Sequence, residues 1–166
     1  MTAEIKYIIE NKRFKRSWDD YLSYFGFVVP IAVFILGLEL TIRRSDFKEN
    51  IAGVILLIAS AFLTRFLLLR TSQLNEFEEL KNEKTQEENF AMVLQGLSRL
   101  NIVEMDKDVH HSVINARYKT KLLPPVFEWL TIVCLDNRIL VNSRPIPATG
   151  ILWFRRNAMI DFKRVL

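Results

Sequence analysis

Two long apolar stretches, joined by a short polar segment, dominate the hydrophobic pattern of the chain. Residues 21–38 carry no charged side chain, and the second stretch is interrupted only by Arg65 near its end. Eighteen residues in a helix cover roughly 27 Å, close to a hydrocarbon core of about 30 Å. The pattern therefore predicts a membrane protein with a two-helix transmembrane hairpin over residues 21–70, with spans at about 21–40 and 51–70.

The distribution of basic residues indicates on which side of the membrane the chain ends lie. Five Lys and Arg precede the first span and four end or follow the second, against three in the connecting loop. Because basic flanks remain in the cytoplasm, both termini are predicted to be cytoplasmic. The first apolar run is longer than that of a secretory signal peptide, so we expect it to be retained. The predicted location is the bacterial inner (cytoplasmic) membrane, as a multi-pass protein whose first partner is the lipid bilayer.

Small and polar residues inside the spans are candidates for helix packing or for function. Gly53 and Ser60 lie seven residues apart on one face of the second span, where another helix of the same chain or of a neighbouring subunit can approach closely. Pro30 lies in the middle of the first span, where a static kink is favoured over a gating hinge. Arg65 lies near the end of its span, so its side chain can reach the headgroups; a charge that lines a pore or binds an anionic lipid is the alternative.

Residues 1–20 combine apolar and charged side chains, which is typical of an amphipathic juxtamembrane segment. A strand over residues 4–10, added to the cytoplasmic domain, is the alternative. The predicted contacts with the membrane surface, here and further along the chain, are Lys12, Arg13, Lys15, Arg16, Trp18, Arg65, Arg70, Arg155 and Arg156.

Residues 71–100 are rich in Glu and are predicted to form a helical stalk. Phe77 and Leu80 belong to a narrow apolar stripe with a spacing of three residues. Thr85 and Glu88 have the spacing of a capping box, which predicts that a new helix begins there.

Residues 101–166 are predicted to form a small cytoplasmic α+β domain with about four antiparallel strands. The clearest element is a hairpin over residues 128–144, in which Asp136 and Asn137 form a two-residue turn. This turn pairs the following residues on one apolar face: Leu130 with Ser143, Ile132 with Val141, and Cys134 with Ile139. The other face is mixed and expected to be half exposed, and Cys134 is expected to be a buried, inert thiol.

Three further segments complete the predicted domain. Residues 101–105 and 112–119 have the composition of strands, and residues 106–108 supply turn residues between them. Residues 150–166 fit an amphipathic helix with Phe162 on its apolar side. This helix is expected either to cover the sheet or to lie on an acidic membrane surface.

Motifs that would indicate enzymatic chemistry are missing from the sequence. It contains no glycine-rich phosphate loop, no nucleophile elbow and no zinc-protease motif. Its single Cys excludes an intramolecular disulfide framework and a cysteine-rich zinc site. Glu104, Asp106, Asp108 and His110 alternate as metal ligands on a strand would, but acidic residues around a turn are ordinary surface. No catalytic, cofactor-binding or metal-binding residue is therefore predicted.

Composition and charge narrow the class of function further. Half of the residues are hydrophobic, which argues against a freely soluble enzyme. The formal net charge is +4, and the basic surplus after residue 101 suits an anionic membrane surface better than nucleic acid, for which no motif is present.

The sequence thus predicts a non-enzymatic inner-membrane protein in which a two-span anchor presents a small cytoplasmic interaction domain. Its partner is expected to be another protein or a second copy of the chain, which would make a homo-oligomer. One alternative is an oligomerising two-span effector that permeabilises the membrane on a cytoplasmic signal. Another is a membrane-anchored lipid-sensing or regulatory domain. No cofactor and no nucleic-acid partner are expected.

Overall fold

The computed structural model describes residues 2–15, 28–43, 47–120, 126–146 and 157–166. The chain divides into two compact units. The sheet unit comprises Met1–Arg16 and Leu74–Leu166, and the helix-pair unit comprises Ser17–Gln73. The chain therefore leaves the sheet unit, forms the helix-pair unit and returns.

Five helices and five strands occur among the described residues. In chain order they are α1 (Ala3–Asn11), α2 (Val28–Arg43), α3 (Phe47–Leu74), β1 (Glu78–Lys81), α4 (Gln86–Leu97), β2 (Ile102–Asp108), β3 (Val113–Lys119), β4 (Phe127–Leu135), β5 (Arg138–Ile146) and α5 (Asn157–Val165). The strands form one antiparallel sheet in the order β1-β5-β4-β3-β2. The predicted α+β class is confirmed: residues 101–166 contain four strands, about as many as predicted, and β1 adds a fifth from the segment predicted as a stalk.

The hairpin of β4 and β5 has the predicted register. The pairs are Leu130 with Ser143, Ile132 with Val141, and Cys134 with Ile139. The turn at Asp136 and Asn137 allows this register because Asn137 has a φ of 62°, a left-handed conformation that Asn adopts more readily than most residues. The residue types of the turn and the alternation of apolar side chains every two residues are thus sufficient to determine the pairing of these strands.

One face of the sheet is covered by α4 and α5. Val93 and Leu97 from α4 and Phe162 from α5 are buried in a core with the apolar side chains of β3, β4 and β5. The described part of the C-terminal helix therefore covers the sheet, which was one of its two predicted roles. Cys134 lies in the same core without exposed surface, and burial raises the pKa of its thiol to about 12. The predicted burial of Cys134 is confirmed, and at neutral pH its thiol stays protonated.

The other face of the sheet is covered as well, so the prediction that it is half exposed is wrong for its centre. Ile5 and Ile8 of α1 are buried in a core with Val133 and Leu140. The alternative of a strand over residues 4–10 is also wrong, because this segment is helical. A spacing of three places both Ile side chains on one side of a helix, where they can pack together on the sheet.

Residues 71–100 do not form a helical stalk throughout, which corrects the prediction. Helix α3 ends at Leu74, and β1 follows it and pairs with β5. The spacing of three between Phe77 and Leu80 fits one helix face, but it also places the two side chains on opposite faces of a strand. Phe77 packs in the core beneath α1, and Leu80 packs against the core beneath α4 and α5.

The predicted capping box at the start of α4 is confirmed. The Thr85 side chain accepts a hydrogen bond from the Glu88 backbone N–H, and the Glu88 carboxylate accepts one from the Thr85 N–H at 2.8 Å. The hydrogen bonds that the Thr85 N–H and hydroxyl donate to this carboxylate lower the pKa of Glu88, because they stabilise its charged form. The signal is local in sequence, which explains why the helix start is predictable.

Candidate functional site

Small residues of α2 and α3 meet in the helix-pair unit. The Ser60 hydroxyl donates a hydrogen bond of 2.8 Å to the backbone carbonyl of Pro30. A methyl group on Gly53 would clash with the Thr41 hydroxyl and would lie 2.9 Å from the Gly37 carbonyl oxygen. Because Pro30 meets Ser60 while Gly37 meets Gly53, the two helices run antiparallel. All three candidate packing residues of the sequence analysis lie in this contact.

Three threonine hydroxyl groups on these helices are satisfied within their own helix. Thr41, Thr64 and Thr71 each donate a hydrogen bond of 2.8 Å to the carbonyl four residues earlier. Such bonds remove the need for water or a partner chain at these positions. Pro30 is the third residue of α2 as described, and its predicted kink involves residues 21–27, which lie outside the described residues.

The outer surface of the helix pair is apolar. Most of the exposed large hydrophobic side chains in the described chain lie on α2 and α3, among them Ile31, Phe34, Ile55 and Phe62. Extended apolar patches of this kind mark contact with a membrane or with another protein.

One described helix is a candidate membrane span. The Asn50–Leu74 part of α3, 25 residues, is long and apolar enough to cross a bilayer, by length and composition. Helix α2 has 16 residues and is shorter than a span. Residues 21–27, which were predicted to complete the first span, lie outside the described residues. The structure thus gives one candidate span where the sequence analysis predicts two.

Arg65 lies in an apolar groove between α2 and α3. The groove has a volume of about 510 Å³, and its lining includes Pro30, Phe34, Leu57, Ala61, Arg65 and Leu68. Arg65 is exposed, and it has no hydrogen bond or ion pair to the described part of the chain. Its guanidinium is the charged group of a lining that is otherwise apolar or uncharged.

The two chain segments that flank the helix-pair unit are paired with each other in the sheet unit. Residues 12–14 and 75–77 form a short antiparallel bridge, which we call the base clamp. Backbone hydrogen bonds of 2.9 and 2.7 Å join the two segments, one donated from each side. The rings of Phe14 and Phe77 lie 4.8 Å apart, and the Arg144 guanidinium lies 3.7 Å from the Phe14 ring centre. The clamp is therefore closed by ring packing and a cation–π contact as well as by backbone pairing.

Asn142 of β5 holds the end of α3. Its side-chain amide donates hydrogen bonds to the carbonyls of Leu74 at 2.8 Å and Glu76 at 2.7 Å, and the residue has no exposed surface. Carbonyls at a helix C-terminus otherwise lack partners within the helix. Sequence analysis missed this role, because an Asn opposite Thr131 in a strand has the pattern of a solvent-facing residue.

Lys12, a predicted membrane contact, has a partner inside the sheet unit. Its ammonium lies 2.5 Å from a carboxylate oxygen of Glu79, and Arg138 lies 3.2 Å from the other oxygen. The hydrogen bond from Lys12, and then that from Arg138, lower the pKa of Glu79. Lys12 therefore links the base clamp to the edge of the sheet.

The other predicted membrane contacts divide into described and undescribed residues. Arg13 and Lys15 are exposed in the sheet unit, and Arg70 lies near the end of α3, where it donates to Gln73 at 3.1 Å. The residues outside the described part of the chain are Arg16, Trp18, Arg155 and Arg156. Contact of this set with a membrane surface stays a prediction.

Strand β2 forms an open edge of the sheet, since no strand other than β3 pairs with it among the described residues. It continues to Asp108, so the turn predicted at residues 106–108 is wrong and lies at residues 109–112. An edge strand tolerates these acidic side chains because six of its seven residues are exposed to solvent. Glu104, Asp106 and Asp108 share one face of the strand, opposite Arg117, Asn115 and Val113 of β3.

The acidic face of β2 does not form a metal site in the described part of the chain. No group of three His, Cys, Asp or Glu residues there could hold a metal ion. Asp108 instead lies 2.7 Å from the His111 ring nitrogen Nδ1, and this hydrogen bond lowers the pKa of the Asp108 carboxyl group. The pair links the end of β2 to the turn that follows it.

Comparison with known proteins adds no family to these observations. Protein-family models, curated proteins and solved structures all give no match to this chain. Function is therefore inferred from the helix-pair surface, the base clamp and the open sheet edge.

Proposed function

We propose that the protein is a non-enzymatic anchor of the bacterial inner membrane. Its helix-pair unit would cross the bilayer twice, and its sheet unit would face the cytoplasm and bind a protein partner or a second copy of the chain. The observation that carries this proposal is the base clamp, because the segments before and after the helix-pair unit fold into one compact unit. A segment that leaves such a unit and returns to it crosses a membrane an even number of times or not at all.

The exposed apolar surface of α3 supports the proposal that the helix pair crosses the membrane, because the alternative of no crossing would leave this surface in water. Only 17% of the most apolar part of this helix is buried inside the protein. A core helix of a soluble protein buries its apolar surface, whereas a membrane span leaves it to lipid. If α3 is one span, an even number of crossings requires a second span. We infer that α2 and the residues that precede it form this second span.

The orientation follows from the basic residues that flank the apolar stretches. More Lys and Arg lie before the first stretch and after the second than between them. The sheet unit contains both flanking segments, so it would remain in the cytoplasm.

The open edge of β2 supports an interaction role for the sheet unit. An exposed edge strand offers unpaired backbone groups to an added strand. Antiparallel pairing of β2 with itself would place Glu104 or Asp108 opposite acidic residues of the second copy, which is unfavourable. A partner segment with alternating basic side chains therefore suits this edge better than self-association does.

Cysteine labelling in membranes tests the two-span topology. We expect Lys6→Cys and Arg164→Cys to react with a membrane-impermeant maleimide in inside-out vesicles and to be protected in spheroplasts, and Ser45→Cys to show the reverse. Unmodified protein is the control, because Cys134 is buried and its thiol pKa is raised. Labelling of the two ends on opposite sides, or of position 45 on the same side as the ends, would contradict the proposal.

A second measurement separates the anchor from a permeabilising effector. Because Gly53 and Ser60 already pack against α2 of the same chain, they are not free to line an oligomeric pore. We therefore expect cells that overproduce the protein to keep their membrane potential, as reported by a potential-sensitive dye. Rapid depolarisation on induction would favour the permeabilising effector and contradict the proposed anchor.

A further inference from the structure

The position of Arg65 along α3 is unusual for a charged side chain. It lies nine residues before the end of the helix at Leu74 and five before residue 70, the predicted end of the span, which is roughly 8 Å along the axis. No described residue pairs with its guanidinium. A charge at such depth in a bilayer is costly unless it reaches an anionic group.

The groove beside Arg65 has the length of one leaflet. Its lining on α3 runs from Leu57 to Leu68, which is roughly 17 Å, against about 15 Å for half of a hydrocarbon core. Phe34 and Leu57 line it on the side away from the cytoplasmic end of α3. Arg65 thus lies toward the cytoplasmic end of the groove, and apolar side chains line the groove toward the middle of the bilayer. The phosphate and the acyl chain of a lipid in the cytoplasmic leaflet follow one another in the same order.

We propose that this groove binds one anionic phospholipid of the cytoplasmic leaflet. The Arg65 guanidinium would pair with the lipid phosphate, and an acyl chain would lie between α2 and α3 over Ala61. This inference rests on the proposed function, because the groove meets lipid only if the helix pair is in the bilayer. A lone cation favours a lipid of net negative charge over a zwitterionic one, which carries its own ammonium group.

A second copy of the helix pair is a poorer occupant of the groove. It would have to supply an acidic group at the level of Arg65. The acidic residue of α2 is Glu39, and the antiparallel contacts place it level with about residue 51. In copies of the same orientation, Glu39 would therefore lie roughly 20 Å from Arg65 along the helix axis. The described residues of α2 and α3 thus carry no acid level with Arg65, whereas the long Arg65 side chain can extend along the helix toward a lipid phosphate at the cytoplasmic headgroup level.

Native mass spectrometry of the full chain tests the lipid site. The protein would be purified in detergent micelles that contain equal amounts of phosphatidylglycerol and phosphatidylcholine, and the retained lipids counted. We expect one retained lipid per chain, with phosphatidylglycerol enriched about tenfold, the factor that corresponds to one charge-assisted pair. Arg65→Gln should abolish the enrichment, whereas Arg65→Lys should keep most of it because the charge remains.

A second pair of variants tests the groove independently of the charge. Ala61→Leu fills the groove and should reduce the retained lipid severalfold with Arg65 unchanged. Ala59→Leu is the matched control, because Ala59 is exposed on the same helix and does not line the groove. Its lipid retention should equal that of the unmodified protein.

Several outcomes would overturn the lipid site. These are equal retention of the two lipids by the unmodified protein, enrichment that survives Arg65→Gln, or a dimer that Ala61→Leu dissociates. If one of these outcomes is found while cysteine labelling still shows two crossings, the lipid site is wrong and the proposed membrane anchor is not contradicted. If the protein stays in the supernatant without detergent, both fail.

Discussion

Replacing Gly53 with Leu is expected to separate α2 from α3. A Cβ at this position would clash with the Thr41 hydroxyl and would lie 2.9 Å from both the Thr41 nitrogen and the Gly37 oxygen. Two of these three atoms belong to the backbone of α2, so a rotamer change cannot relieve the overlap. Overpacking costs about 1–3 kcal/mol where a core can adjust, and here we expect a loss of about 3 kcal/mol in the unfolding free energy of the helix pair.

Thermal denaturation of the detergent-purified protein, followed by size-exclusion chromatography of the remaining folded fraction, measures this loss. Gly53→Leu should lower the midpoint by several degrees, and Gly53→Ala should lower it by less. Ala59→Leu is the matched control, because the same side chain is added on the exposed side of the same helix. Equal midpoints for Gly53→Leu and Ala59→Leu would show that the close approach of the helices contributes nothing.

The parts of the fold that were predictable depend on signals that are local in sequence. The register of β4 and β5 follows from Asp136 and Asn137 together with alternation on either side. The capping box follows from two residues three apart. In each case the partners lie within one turn or one hairpin, so no distant contact competes with the local pattern.

The parts that were not predictable depend on contacts between distant segments. Strand β1 forms because it pairs with β5, some sixty residues further along the chain, and its own composition suits an acidic helix as well. Asn142 caps α3 across a similar separation. The base clamp likewise pairs residues on either side of the helix-pair unit. Such roles become visible only when the sheet order is known, since each residue type alone is ordinary in its segment.

Glu128 is another residue whose role depends on a distant contact. It lies in β4 without exposed surface, and its carboxylate attaches α5 to the sheet. One oxygen accepts hydrogen bonds from the Ser143 hydroxyl at 2.7 Å and the Ala158 N–H at 2.9 Å. The other accepts from the Asn157 N–H at 3.2 Å. The two backbone donors are the first N–H groups of α5, which have no partner within the helix.

Replacing Glu128 with Ala is expected to destabilise the sheet unit by about 3 kcal/mol, because each buried donor left without a partner costs about 1–3 kcal/mol and the helix loses its cap. Urea unfolding of the full chain in detergent, followed by tryptophan fluorescence, measures the change. Glu104→Ala removes the same group from the exposed strand β2, and it should change stability by less than about 0.5 kcal/mol. Equal effects of the two variants would show that Glu128 does not hold α5 in place.

Because Glu128 can titrate, the stability that it gives to the attachment of α5 is expected to depend on pH, and Glu128→Gln removes this dependence. Burial raises the pKa of Glu128 above 4.5, its ordinary value, although the hydrogen bonds from Ala158, Ser143 and Asn157 oppose the shift. A raised folded-state pKa adds stability that is fully present below pH 4.5 and is lost as the pH rises through the folded pKa. The stability advantage of the unmodified protein over Glu128→Gln should therefore be largest in acid and shrink toward neutral pH. The other acidic groups are common to both proteins, so their titration cancels in the difference. An advantage that grows with pH would mean that the N-terminus of α5 and the Ser143 hydroxyl stabilise the carboxylate more than burial destabilises it.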